Sequence, residues 1–311
     1  NKRGRIDRQL PFVEEKFGCI DIICIQETHF MEENMETIPR TLHGYEWIHE
    51  PATCKDKYAG VSIGYKHWLP IPMDLMEHIW TNELVYKDKF GNIDYLKGRL
   101  AVAGFELQGK SIIIANFYGF AIEEKFKEDD ERKHQAYELI LTAKDICLEL
   151  AEKWTKEKKL KRSDVTLLLG GDFNATPQYL KKRNGDIKDP TMKLTCHKEV
   201  TKNKTTAMDK LCEAFEHVDD VYGEKPQGPY YTNIAYAGKD VKHQTAIDHF
   251  FLPSKDGKGW WKPPKATFWH GCEPQKHPES RHDILVLKLH QVWSCAVRSD
   301  GAQVKSPYRK I

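Results

Sequence analysis

The sequence predicts an α/β protein in which sheets and helices stack as layers, and three observations carry that expectation. Strand-sized apolar runs recur along the chain, one long helix with a single apolar face lies among them, and the runs end again and again in polar side chains. With 311 residues and 40% hydrophobic content, the chain can bury one large core or two modest ones.

In chain order the runs fall at residues 21–26, 60–65, 100–107, 111–118, 165–169, 246–252 and 283–289. Several alternate apolar with polar residues, the pattern of antiparallel or mixed sheet. Residues 165–169, Val-Thr-Leu-Leu-Leu, are apolar on both faces and belong in the middle of a sheet. Residues 133–154 set Ala136, Leu139, Ile140, Ala143, Cys147, Leu150 and Trp154 at helical spacing with charges opposite, which predicts a helix packed on a sheet. A shorter helix is expected at 208–214, and Pro or Gly turns at 70–72, 223–229 and 262–264 separate the remaining pieces. No repeat or low-complexity block interrupts residues 1–290, which read as one domain; residues 291–311 lose strand periodicity and read as a tail or linker.

Composition excludes more than it selects. Lys plus Arg is 48 and Asp plus Glu is 46, so the net charge of +2 gives no global argument for nucleic acid or membrane, and any anion-binding surface must be local. No apolar run approaches the roughly 20 residues that cross a bilayer, and Asn1-Lys2-Arg3-Gly4-Arg5 leads into no apolar signal core. The expectation is an intracellular protein, nuclear or cytoplasmic, that is not secreted and has no membrane partner. Eight cysteines at 19, 24, 54, 147, 196, 212, 272 and 295 form no Cys-x-x-Cys pair, which fits free thiols in a reducing compartment without structural zinc.

The strand ends carry the chemistry. The run at 165–169 hands over to Gly170-Gly171-Asp172-Phe173-Asn174, a sharp turn bearing a carboxylate and an amide. Asp and Asn after Gly are ordinary turn formers, so this pentapeptide alone decides little. Other runs end the same way, in Gln26-Glu27-Thr28-His29, in Asn116-Phe117-Tyr118 and in Asp248-His249, and Ser280-Arg281-His282 precedes the last run. Together they deliver Glu27, Tyr118, Asp172, Asn174, Asp248 and His282, too many polar groups for turns alone. Carboxylates beside an amide suit a hard cation such as Mg²⁺, with Mn²⁺ as the alternative. A His with an Asp suits charge stabilisation or proton transfer at a phosphodiester. With no nucleophilic Ser or Cys motif and no Gly-x-x-x-x-Gly-Lys loop, metal-assisted hydrolysis of a phosphate ester fits best.

Cys24-Ile25-Gln26-Glu27-Thr28-His29, Ala59-Gly60-Val61-Ser62-Ile63, Asn116-Phe117-Tyr118, Gly171-Asp172-Phe173-Asn174, Tyr231-Thr232 and Ile247-Asp248-His249 occur in the order and approximate spacing of the endonuclease/exonuclease/phosphatase superfamily, which is DNase I-like and AP endonuclease-like. Within it, Gln-Glu-Thr-His and the Tyr-Thr, Ile-Asp-His pattern most resemble the endonuclease domain of LINE-type non-LTR retrotransposons. The resemblance spans residues 5–290 approximately. It implies a four-layered α/β sandwich of two packed mixed β-sheets flanked by helices, and a Mg²⁺-dependent endonuclease that nicks double-stranded DNA, with a reverse transcriptase region in the same polyprotein. It implies roles as well: Glu27 the principal metal ligand, Asp172 and Asn174 the pair that activates water and holds phosphate, Tyr118 a phosphate contact, and Asp248 the carboxylate that orients the catalytic His282.

Two features depart from the family pattern. A strand bearing a metal-site Asn normally precedes the segment matching Arg5 to Phe17, and here that first strand is missing from the sequence as given; Arg281 stands where the family carries Asp. A cation there weakens metal binding while adding a phosphate contact. The hairpin expected across 233–244 offers Tyr236, Lys239, Lys242 and His243 to nucleic acid, and Trp260 with Trp261 among four lysines is open between core and contact. The departures favour one alternative, a degenerate member that binds nucleic acid or protein without cleaving; a second alternative, within the enzyme class, is a phosphodiesterase acting on abasic DNA, RNA or phospholipid.

Overall fold

The computed structural model describes residues 18–38, 44–107, 110–121, 131–177, 206–222, 233–237, 240–245, 247–254, 266–271 and 284–289, with a few positions outside these spans. Four strands, β1 (Ile22–Ile25), β2 (Thr41–Leu42), β3 (Tyr45–Glu50) and β4 (Val61–Lys66), form an antiparallel sheet in the order β1-β4-β3-β2. A six-stranded sheet takes β5 (Met73–Asp74), β6 (Leu100–Leu107), β7 (Lys110–Tyr118), β8 (Val165–Asp172), β9 (Phe215–His217) and, beyond the hairpin of β10 (Asn233–Ala237) and β11 (Asp240–Thr245), β12 (Asp248–Pro253). Its order is β5-β6-β7-β8-β12-β9, and β7 with β8 is its one parallel pair. Among the described residues the four-stranded sheet is antiparallel throughout and the six-stranded sheet is mixed. Two small antiparallel pairs follow, β13 (Ala266–Gly271) with β14 (Ile284–Leu289) and β15 (Ala296–Val297) with β16 (Gln303–Val304).

The parallel pair exists because the chain leaves β7 and returns to β8 through a long crossover that contains α3 (Glu131–Glu157), after α1 (Met76–Thr81) and α2 (Glu83–Phe90). The apolar stripe of α3 is as the sequence spaced it: Ala136, Leu139, Ile140, Ala143, Cys147, Leu150 and Trp154 are all buried against the outer face of the six-stranded sheet, with Val102, Ile113, Ala115, Phe117, Leu167 and Leu169. Trp154 lies flat on Gly104 and its indole N–H donates to the Ser111 hydroxyl at 2.9 Å, so the one polar atom of this large ring is satisfied in the core. Trp260 is buried in the same core, which removes it from the nucleic-acid contacts the sequence left open; Trp261 lies outside the described residues. The helices α4 (Ala207–Cys212) and α5 (Val218–Tyr222) follow, and short 3-10 helices stand at Glu32–Thr37, Ile93–Leu96 and Arg162–Asp164.

The other face of the six-stranded sheet meets the four-stranded one. Val61, Ile63 and Tyr65 of β4 pack on Ala101, Ala103 and Phe105 of β6 and on Ile112 and Ile114 of β7, giving the sandwich its second core. Outward of the four-stranded sheet lie Tyr45, Trp47 and His49. The Tyr45 hydroxyl donates to the Ile20 carbonyl at 2.6 Å. Most of residues 1–17 lie outside the described residues. Among the described residues no helix is long and apolar enough to cross a membrane, and Cys19, Cys24, Cys54, Cys147 and Cys212 are free thiols.

Candidate active site

Register aligns the site. In the parallel pair Tyr118 is opposite Asp172, and in the antiparallel pair Asp172 is opposite Asp248. Residues opposite one another share a face, so a phenol and two carboxylates stand in a row along one edge of the six-stranded sheet, facing the other sheet. All three are nearly buried, at 6%, 5% and 8% exposure.

The turn that follows β8 is fixed by its glycines. Gly171 has φ of +137°, and a Cβ built on it would stand 1.9 Å from the Phe117 carbonyl oxygen, so no other residue fits. Gly119, after β7, is as crowded: its Cβ would stand 2.1 Å from the Phe173 carbonyl oxygen. That closeness lets the Gly119 N–H donate to the Asp172 carbonyl at 2.7 Å, while Phe173 N–H donates to the Ile247 carbonyl at 2.8 Å. Phe173 turns into the core, its ring 4.9 Å from that of Phe117 and 5.3 Å from that of Phe251. Asn174, left-handed at φ 49°, donates its backbone N–H to the Asp172 carboxylate at 2.8 Å and its side-chain amide to the Gly119 carbonyl at 3.1 Å.

Across the cleft, Glu27 follows β1, and the Tyr118 hydroxyl donates to its Oε1 at 2.8 Å. Glu27 and His29 are both left-handed, at φ 52° and 55°. Non-glycine residues hold that conformation at a cost, and they gather where side chains must be aimed. Here Thr28 N–H donates to the Gly60 carbonyl at 2.9 Å and His29 N–H to the Ala59 carbonyl at 3.0 Å. Burial pushes the Tyr118 phenol well above its ordinary ionisation range, and the charge of Glu27, the bond to it and the charge of Asp172 push the same way. Tyr118 is therefore a hydrogen-bond donor at every working pH.

One residue that joins the two sheets was not singled out from the sequence. Asn116, wholly buried in β7, donates its side-chain amide to the carbonyls of Ile25 (2.9 Å) and Ser62 (3.0 Å) on the opposite sheet, and accepts from Gln26 Nε2 at 2.5 Å. Its signal was an amide inside an otherwise apolar strand, where an unpartnered polar group would be costly.

Of the expected site residues, Glu27, Tyr118, Asp172, Asn174 and Asp248 meet at this edge. His282, Arg281 and Lys239 lie outside the described residues, and Tyr236, Lys242 and His243 sit on the β10–β11 hairpin, whose backbone pairing alone is described. Among the described residues no three His, Cys, Asp or Glu side chains gather tightly enough to hold a metal by themselves. Mg²⁺ asks for less, since one or two carboxylates with waters and a substrate phosphate complete its octahedron. Glu27, facing the row of Asp172 and Asp248, fits that demand.

No family model matches the sequence, and no curated protein matches it. Solved structures do. The catalytic domain of Xenopus laevis APE2 aligns over 92% of this chain and 89% of its own at 12% identity, with a TM-score of 0.58. AP endonuclease LMAP from Leishmania major aligns over 93% of this chain and 84% of its own at 14% identity, with a TM-score of 0.57. The chain has the endonuclease/exonuclease/phosphatase fold. The endonuclease domain of TRAS1, a telomere-specific non-LTR retrotransposon, aligns over 93% of this chain and 94% of its own at 13% identity, but at a TM-score of 0.48 it bears no weight. Within that fold, the two carboxylates and the phenol share one end of the six-stranded sheet, where the Tyr118 hydroxyl meets Glu27, just beyond the end of the other sheet's first strand.

Proposed function

We propose that this chain is a Mg²⁺-dependent nuclease that hydrolyses a phosphodiester bond in double-stranded DNA and leaves a nick. The observation that carries the reading is the registered row of Tyr118, Asp172 and Asp248 facing Glu27 across the cleft. In it, Asp172 accepts the proton of the attacking water, and Asn174, held by the Asp172 turn and the Gly119 carbonyl, aligns that water and the phosphate. Tyr118, kept neutral by its surroundings, would turn its single hydroxyl proton from Glu27 to a phosphate oxygen once Glu27 holds the ion. The family resemblance would give Asp248 the task of orienting His282 beside the developing negative charge. Glu27 would hold the ion, which when bound supplies neutralisation of the phosphate charge.

The likeness to non-LTR retrotransposon endonucleases rests on Gln26-Glu27-Thr28-His29 and Ile247-Asp248-His249, and supports target-site nicking inside the cell, beside a reverse transcriptase region. Incubation with supercoiled plasmid and Mg²⁺ tests the reading. Relaxed circles that vanish with EDTA and with Asp172→Asn are expected; their absence, both from this chain and from one extended upstream of Asn1, overturns it.

Arg281, a cation where the family pattern has a carboxylate, favours a second reading, a nucleic-acid binder that does not cleave. Mg²⁺ titration followed by melting temperature separates the two. The nuclease is stabilised by the ion and the binder is not.

A further inference from the structure

Arg99 is 6% exposed and lies directly behind the site, just ahead of β6. Its Nε donates to the Asp56 carboxylate at 2.8 Å and Nη2 pairs with the same oxygen. Its Nη1 donates to two backbone carbonyls, of Tyr118 at 3.2 Å and Gly119 at 2.9 Å. The guanidinium plane also packs on rings, with Cζ 4.8 Å from the Tyr118 centroid and 4.0 Å from that of Phe120. The Tyr118 N–H in turn donates to the Arg99 carbonyl at 2.8 Å.

These contacts reach three groups of the site at once. Tyr118 is held by its ring, its carbonyl and its N–H. The Gly119 carbonyl that Arg99 fills is the one that also accepts from the Asn174 side chain, and the N–H of Gly119 is bonded to the Asp172 carbonyl. A lysine could supply the charge but not the fork, because one ammonium cannot reach Asp56 and both carbonyls while lying flat on two rings. A buried ion pair is by itself weak reason for an arginine, since apolar residues often serve stability as well. What an apolar residue cannot do is fix the carbonyls that aim a phenol and an amide.

We infer that Arg99 is a positioning residue of this site: it acts through Tyr118 and Gly119 to hold the phenol and the Asn174 amide against a phosphate, with Asp56 fixing its own orientation. The inference rests on the nuclease reading above. It is a claim about kcat, because the residue touches no substrate.

The test is plasmid nicking in Mg²⁺ by the full chain carrying Arg99→Lys, Asp56→Asn, Tyr118→Phe, and Arg99→Lys with Tyr118→Phe together. Misplacement of catalytic groups on the scale of 1 Å costs up to about 100-fold in rate. Arg99→Lys is therefore expected to lower kcat at least about 10-fold with KM changed less than about 2-fold and folded melting behaviour retained. Combined with Tyr118→Phe, its loss should be less than the product of the single losses, because both act on one group. If Arg99→Lys does not fold, Asp56→Asn decides by the same kcat and KM split, a lowered kcat supporting the role. Wild type that nicks while Arg99→Lys, or in its place Asp56→Asn, leaves kcat unchanged overturns this inference alone. A loss that appears only in KM, or that multiplies fully with Tyr118→Phe, does the same. Wild type that never nicks overturns the nuclease reading and this inference with it.

Discussion

On the six-stranded sheet, Tyr118, Asp172 and Asp248 stand where strand ladders put them, side by side in register. On the four-stranded sheet, Glu27 and His29 lie beyond the last residue of β1 in left-handed conformation, held by two backbone bonds to Ala59 and Gly60. One half of the cleft is part of the sheet, and the other hangs from it. A ladder spreads any disturbance over many bonds, whereas a hanging segment depends on a few named ones, so the halves should fail differently.

The sheet half should break hardest. Gly171→Ala forces a Cβ onto the Phe117 carbonyl at a φ of +137°, and it is expected to cost about 4 kcal/mol or more in urea unfolding. A loss under about 1 kcal/mol would mean the turn can relax and the half is less fixed than its ladder suggests. Next comes the joint between the halves. Asn116→Leu leaves the Ile25 and Ser62 carbonyls without that amide and Gln26 without its acceptor, and should cost about 3 kcal/mol.

The hanging half should respond to pH. Glu50, at the end of β3, is pushed up to about 8 chiefly by burial, although the Trp80 indole N–H that donates to it at 3.3 Å and the backbone of Gly98 pull the other way. Gly98 is also the residue whose carbonyl accepts from Gly60, beneath the Glu27 segment. Since the folded-state value lies above the unfolded one, the stability from this group is complete below about pH 4.5 and is lost as pH rises to about 8. Glu50→Gln should flatten the melting curve against pH and add about 2 kcal/mol at pH 8.5; an unchanged slope would detach Glu50 from this half. The smallest effect expected is that of Tyr118→Phe, which removes one donor while leaving the ladder whole, and should slow nicking about 10-fold with little change in melting temperature.

Much of this was legible in the sequence where one strand carries its own signal. The run at 165–169 with Gly170 to Asn174 after it located β8, its turn and Asp172 together, and 111–118 did the same for Tyr118. β3 was not legible. Its sequence Tyr-Glu-Trp-Ile-His-Glu turns Glu46 and Glu50 to the same face as Ile48, and only the opposite sheet makes that face a core. The helices at 76–90 were missed because charges interrupt their apolar residues, and β13 because Ala266–Gly271 mixes Trp and His with small residues. Asn116, Gln26 and Arg99 escaped for another reason. Their meaning lies in partners 19 to 91 residues away, which no local pattern displays.

The order in which the chain emerges during synthesis now takes on a meaning. By the time residue 172 has been made, β5, β6, β7 and β8 can pair, α3 can cover them, and most of the apolar core is present. Asp248 joins only when β12 lays itself against β8, some 75 residues later in the sequence. A nascent chain on the ribosome can thus be largely folded while its row of site carboxylates is still incomplete, because Asp248 reaches Asp172 only when β12 docks.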